Sequence, residues 1–259
     1  MITVDFFTNC WERDYREVLG TNLVQIKAAQ FRYPFRNVCV TINNVNDIMD
    51  ARKLAEQAIH NGYIDRAIFV EDALPGALKT CGLKDAQLGR VRHFTSFYLV
   101  MMTCTDADYI LNCAADIDLA EPYDWISSAI EKLEDNLWYI VANPAWGWDI
   151  DGARNEALEE DPPYFVSQAF SDACFLGKRA IFAQPIYNYR HASGKHYPLS
   201  HVGEVFEQRV GAFMRIRGYF RLTDSRAVYD HHGVLGGAYP SPSRLQKLKI
   251  RIQRYIGLN

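Results

Sequence analysis

The stretch ADYILNCAADIDLAEP, residues 107–122, passes from an apolar run into two aspartates one residue apart, Asp116 and Asp118. A short apolar run bounded by polar residues suits a strand buried in a sheet. The aspartates then stand at the carboxyl edge of that sheet, and the single residue between them puts both carboxylates on one side. Two like charges so placed repel each other unless a cation or a donor neutralises them. A divalent ion such as Mg²⁺ or Mn²⁺, which takes oxygen ligands and bridges substrate phosphates, would do so.

The residues before this stretch set its context. ITVDFFT (2–8), NVCVTINNV (37–45) and RAIFVED (66–72) are β-rich runs, each followed by a helical segment or a longer connection, and DYILNCAA is the fourth strand of the series. This β-α-β rhythm predicts an α/β fold with a mainly parallel central sheet flanked by helices, its ligands gathered at the carboxyl ends of the strands. The chain has 259 residues, 49% of them hydrophobic, enough for one substantial core. MITVDFFTN lacks the basic start of a signal peptide, and no run reaches the roughly 18 to 20 apolar residues of a membrane span, so a cytoplasmic protein is expected. Six cysteines without any C-x-x-C pairing suggest neither a disulfide framework nor a zinc site. The net charge of −3 gives no pointer to nucleic acid.

Spacing alone does not single out Asp116 and Asp118, because the chain also carries Asp106/Asp108 and Asp149/Asp151. The first of these pairs precedes the strand, where a solvated turn or cap is expected. The second lies in WGWDIDGARNE, which reads as a turn ending in Gly152. Only the middle pair leaves a strand at its functional end.

Further along, LWYIVANPA, FSDACFLGKRAIF, GEVFEQRVGAFMRIRGY and AVYDHHG follow in order. With ADYILNCAADIDL and the β-α alternation before it, this series resembles the glycosyltransferases of the GT-A fold, closest to the family 2 type, over roughly residues 1 to 235. The resemblance implies transfer of a sugar from a nucleotide-diphosphate donor to a glycan or lipid-linked acceptor, with Mn²⁺ or Mg²⁺ as cofactor. It implies that Asp116 and Asp118 bind the metal holding the diphosphate, and that His231 or His232 completes the metal site, with Asp230 as an alternative oxygen donor. It also implies a base at the start of a helix running from Gly203-Glu204 to Gly218-Tyr219, although Val205 stands where the family commonly has aspartate. Glu204 and Glu207 lie i, i+3 on one face of that helix, and either would reach an acceptor hydroxyl; inversion at the anomeric carbon would follow.

In the same reading the nucleotide lies over the ends of the first strands, near Thr8 and Asn9, Asn43 and Asn44, and Glu71 and Asp72. Arg90 and Arg92 resemble the family's arginine near the phosphates, a role that suits the planar guanidinium fork. Asp172, Trp146 and Trp148 would face the acceptor, the tryptophans by stacking on a sugar ring. NYRHASGKHYPLSH (188–201) reads as a flap over the site. Two other readings share the architecture. A sugar-phosphate nucleotidyltransferase would carry a glycine-rich loop after strand one, and FFTNCWERDY has no glycine. A non-catalytic nucleotide-sugar or carbohydrate-binding relative would keep the fold and lose the base.

Residues 1–240 are expected to form the glycosyltransferase domain and 241–259 a basic amphipathic helix. In SPSRLQKLKIRIQRYIGLN, Leu245, Leu248, Ile252, Tyr255 and Ile256 recur at three- and four-residue steps among five basic residues and no acid. Such a helix would either cap the domain or make a peripheral contact with an anionic membrane.

Overall fold

The computed structural model describes residues 2–147, 150–197 and 203–232. The first half alternates strands and helices: β1 (Val4–Cys10), α1 (Tyr15–Gly20), α2 (Leu23–Gln30), β2 (Asn37–Ile42), α3 (Ile48–His60), β3 (Arg66–Phe69) and α4 (Val70–Thr80). A 3-10 segment (Asp85–Val91) then leads into α5 (His93–Thr103), β4 (Tyr109–Cys113) and the short β5 (Ile117–Leu119). The second half comprises α6 (Ile126–Asp135), β6 (Tyr139–Trp146), α7 (Ile150–Asn155), β7 (Glu159–Asp161), β8 (Tyr164–Ser167), β9 (Cys174–Lys178) and α8 (Arg179–Phe182). It ends with a 3-10 turn (Ala192–His196), α9 (Phe206–Arg217) and β10 (Phe220–His231).

The strands form one sheet in the order β3-β2-β1-β4-β9-β6-β10-β8-β7, with β5 paired to β10. Alternate side chains of each strand serve two separate cores. Phe6, Val40 and Leu111 point into one with α1, α2, α3 and α6, whereas Phe7, Cys39 and Ile110 point into the other with α4, α5 and α9. Covering both faces explains why the central strands read as nearly continuous apolar runs. Strand order reverses between β1 and β4, and the crevice at their carboxyl ends is where an open α/β sheet takes its ligand.

The parallel sheet expected from the alternation is correct for β1 to β4 and incomplete beyond them. β9 runs antiparallel to both β4 and β6, and β8 antiparallel to β10, so the whole sheet is mixed. The third strand is also shorter than RAIFVED predicts. It stops at Phe69, and Glu71 and Asp72 sit in the first turn of α4, where acids are favoured by the helix dipole. Trp148 and the C-terminal helix expected over 241–259 lie outside the described residues. Asp106 and Asp108 are structural, as their position suggested: Asp106 pairs with Arg36, and Asp108 accepts from the backbone and hydroxyl of Thr3. No helix among the described residues is long and apolar enough to cross a membrane.

The start of α3 illustrates how local chemistry sets an element end. Asp47 accepts the Asp50 amide at 3.0 Å and satisfies a donor that the helix itself leaves open. Asp47→Ala is expected to lower stability by about 1 kcal/mol, measured by urea denaturation.

Candidate active site

After β4 the chain turns, with the Ile117 amide bonded to the Ala114 carbonyl, and returns as β5 against the end of β10. Ile117 and Leu119 are buried in the core, which turns Asp116 and Asp118 the other way. The register sets Ile117 opposite His231 and Asp118 opposite Asp230, and the His232 amide donates to the Asp116 carbonyl. All four residues expected at the metal site therefore meet. Asp116 Oδ2 lies 3.1 Å from His231 Nε2, and Asp118 Oδ2 lies 3.1 Å from His232 Nε2.

The two aspartates differ in what else they touch. The Oδ1 atom of Asp118 accepts from Lys27 Nζ and Gln30 Nε2, each at 2.9 Å. Burial raises the Asp118 pKa, but the bonds from Lys27 and Gln30 and the lysine charge outweigh it and hold the group below the ordinary carboxylate range. Asp116 has no such donors among the described contacts. Its neighbour is Asp14, just beyond β1, whose carboxyl is pushed up to about 6 by burial and by the Asp116 charge, against the bond it accepts from the Trp11 amide.

Two donors that stand about 3.0 Å apart can ligate one ion in adjacent positions at about 2.1 Å each. By distance the Asp116–His231 and Asp118–His232 pairs, both at 3.1 Å, fit that test, and only Asp116 has its carboxylate clear of a lysine. Among the described residues no group of three or more His, Cys, Asp or Glu side chains is placed to hold a metal ion by itself. An open, two-residue site is the kind a hard divalent cation uses when phosphates and water supply the remaining ligands.

A second acidic pair lies further along the same edge. Asp172 precedes β9, and its carbonyl accepts from Asn112 of β4 at 2.8 Å and from the Tyr98 hydroxyl at 3.1 Å. Its amide donates to the Glu207 carboxylate in the first turn of α9. Burial, and then the Asp172 charge, push Glu207 well above the ordinary carboxylate range, opposed by Arg221. Burial pushes Asp172 up to about 6, opposed by the Tyr98 hydroxyl. Glu204 is not part of this pair. Its carboxylate contacts Arg190 at 2.8 Å and the buried Arg209 at 3.7 Å.

On the donor side, the ends of β1 and β2 and the start of α5 present buried polar atoms with no hydrogen-bond partner: Thr8 Oγ1, Asn43 Oδ1, Thr95 Oγ1 and Arg92 Nε. Buried polar atoms are ordinarily paired, so these four are open to the polar edge of a ligand or to water. Asn43 is fixed by its amide bond to the His93 carbonyl. Asn9 is half-buried and Asn44 exposed in the left-handed region at φ 52°. Arg92 reaches Asp85 at 3.1 Å and Glu71 at 3.4 Å. Asp72 pairs with Arg52 of α3 at 2.7 Å. Trp146, at the end of β6, is 44% exposed beside β10. Gly147 follows because a Cβ there would stand 2.7 Å from Asp230 Oδ1.

Lys27, Gln30 and Asp14 were not anticipated. The signal for Lys27 was present: it falls with Val24 and Ala28 on the inner face of α2, a charged residue in an apolar stripe.

No family model and no curated protein sequence matches the chain. Solved structures do. The crystal structure of GalNAc-T7 with UDP, GalNAc and Mn²⁺ aligns over 96% of this chain and 47% of that one, at 10% identity and a TM-score of 0.54. Glucosyl-3-phosphoglycerate synthase from Mycobacterium tuberculosis, in complex with Mn²⁺, UDP and phosphoglyceric acid, aligns over 98% and 75%, at 13% identity and 0.48. S. aureus TarS aligns over 100% and 40%, at 10% identity and 0.49. The chain thus spans about half the length of the GalNAc-T7 structure. The architecture is the GT-A fold of glycosyltransferases.

Proposed function

We propose that this chain transfers a sugar from a nucleotide-diphosphate donor to a hydroxyl of a glycan or lipid-linked acceptor, with a divalent cation and with inversion at the anomeric carbon. The observation that carries the reading is the presence of two side-chain pairs on one edge of a GT-A sheet: Asp116 with His231, and Glu207 with Asp172. GalNAc-T7, the similar structure with the higher TM-score, holds UDP and Mn²⁺.

Asp116 and His231 would hold Mg²⁺ or Mn²⁺, which when bound offsets the charge of the donor diphosphate. Thr8, Asn43 and Thr95 would meet the nucleoside, and Arg92 a phosphate oxygen. The raised pKa of Glu207 suits it to accept the proton of the acceptor hydroxyl. As that oxygen bonds to the anomeric carbon, the bond from carbon to the diphosphate oxygen breaks and its electron pair leaves with the diphosphate. Asp172 holds Glu207 through its amide, and its charge adds to burial in keeping the Glu207 pKa raised. Trp146 offers an aromatic face to an acceptor sugar.

Titration calorimetry with a panel of nucleotide sugars, with and without Mn²⁺, followed by a product assay, tests the proposal. At least one donor is expected to bind only with the cation and to yield an inverted glycoside. Cation-independent binding or a product of retained configuration would overturn the corresponding part.

A further inference from the structure

Lys27 is 3% exposed, and an ammonium so far from water needs compensation by charge and hydrogen bonds. It finds both on one short hairpin, donating to the Ile117 carbonyl at 2.7 Å and to Asp118 Oδ1 at 2.9 Å. Gln30, three residues on along α2, uses both ends of its amide there: Nε2 donates to Asp118 Oδ1, and Oε1 accepts from the Leu119 amide at 2.9 Å. One face of α2 therefore grips three successive residues, 117 to 119. Each aspartate faces a histidine at 3.1 Å, Asp116 facing His231 and Asp118 Oδ2 facing His232, but only the Asp118 charge is also balanced from behind by the lysine.

We propose that Lys27 is a positioning residue that, with Gln30, makes Asp118 the anchor of the hairpin and leaves Asp116 and His231 as the protein's cation ligands. The two aspartates thus divide their work: one ties the hairpin to α2, the other serves the ion. The inference rests on the cation reading given above and deepens it.

The full chain and its Lys27→Met, Asp118→Asn, Lys27→Met/Asp118→Asn and Asp116→Asn variants are to be titrated with Mn²⁺ in the presence of UDP, with free Mn²⁺ read by its paramagnetic resonance signal and melting temperature recorded in parallel. Asp116→Asn is expected to lose Mn²⁺ binding, and Asp118→Asn to keep it within a few-fold. Lys27→Met should weaken it roughly 10- to 100-fold, as loss of an outer-shell partner does. It should also lower the melting temperature, because it leaves a half-buried carboxylate without its cation. Adding Asp118→Asn should restore most of that temperature and part of the affinity. Should Lys27→Met fail to fold, the comparison of Asp118→Asn with Asp116→Asn still decides the division. Loss of Mn²⁺ by Asp118→Asn as complete as by Asp116→Asn would overturn the proposal, as would additive temperature losses in the double variant. A wild-type chain that binds no Mn²⁺ with UDP would overturn the cation reading and the role of Lys27 together, whatever the melting temperatures show.

Discussion

Asp116→Ala is expected to remove cation-dependent donor binding and to lower kcat/KM for sugar transfer roughly 1,000-fold. A bound divalent ion contributes several kcal/mol of charge stabilisation at a transferring phosphate, and each 1.4 kcal/mol is about tenfold in rate. Of the two protein groups proposed to hold the ion, Asp116 is the one with a negative charge not already matched by a buried lysine. His231→Ala should move the same quantities in the same direction, with less effect, because a neutral imidazole brings a donor atom without charge. Asp106→Ala is the control. It alters the other aspartate pair near β4, whose exposed carboxylate pairs with Arg36 at the opposite edge of the sheet. Its rate should stay within about twofold, as expected for an exposed ion pair. Calorimetry of donor binding with and without Mn²⁺ and initial rates at varied donor concentration read the effect. Donor affinity that stays cation-dependent in Asp116→Ala would remove Asp116 from the site.

The parts of this site legible in the sequence are those written in local pattern. DYILNC announces a strand buried on both faces, and one residue between Asp116 and Asp118 places them together at its end. The helix from Phe206 to Arg217 is legible through Gly218, which takes the left-handed conformation at its C-cap. What was not legible depends on long-range pairing. IDL has no strong strand pattern of its own; it becomes β5 because β10 offers it a partner more than one hundred residues later. FLGK gives no sign of running antiparallel between β4 and β6. RAIFVED reads as a strand to its end, but helix formation from Val70 wins, and Asp72 pairs with Arg52 from the first turn of α4. The different surroundings of Glu204 and Glu207 likewise depend on contacts that the local pattern does not spell out. Arg190 and Arg209 claim the first, and Asp172 claims the second.

Glu207→Gln is expected to lower kcat roughly 100- to 10,000-fold, the range that a positioned general base supplies, while donor binding changes little. Glutamine keeps the size of the side chain and can still accept the Asp172 amide, but it cannot take a proton from the acceptor. The pH dependence gives the sign. Only ionised Glu207 acts as base, and burial with the Asp172 charge raises its pKa, so kcat should fall as pH drops through the raised value. The limb belongs to the Glu207–Asp172 pair rather than to one residue. Asp172→Asn removes the like charge and should move that limb to lower pH. Stability should run the other way. A carboxyl whose pKa is higher in the folded than in the unfolded chain stabilises the fold fully below the ordinary carboxylate range and loses that contribution as pH rises through the folded value. Glu207→Gln stays neutral throughout, so at neutral pH its melting temperature should exceed that of the wild type, with the gap closing in acid. A residue that merely supports the fold would lose activity and stability together. Glu204→Gln, which breaks a contact with the exposed Arg190, should lose far less of kcat. The pairing of a large rate loss with a gain in melting temperature is therefore the signature of Glu207 as the base, and a Glu207→Gln enzyme that turns over normally would end the assignment.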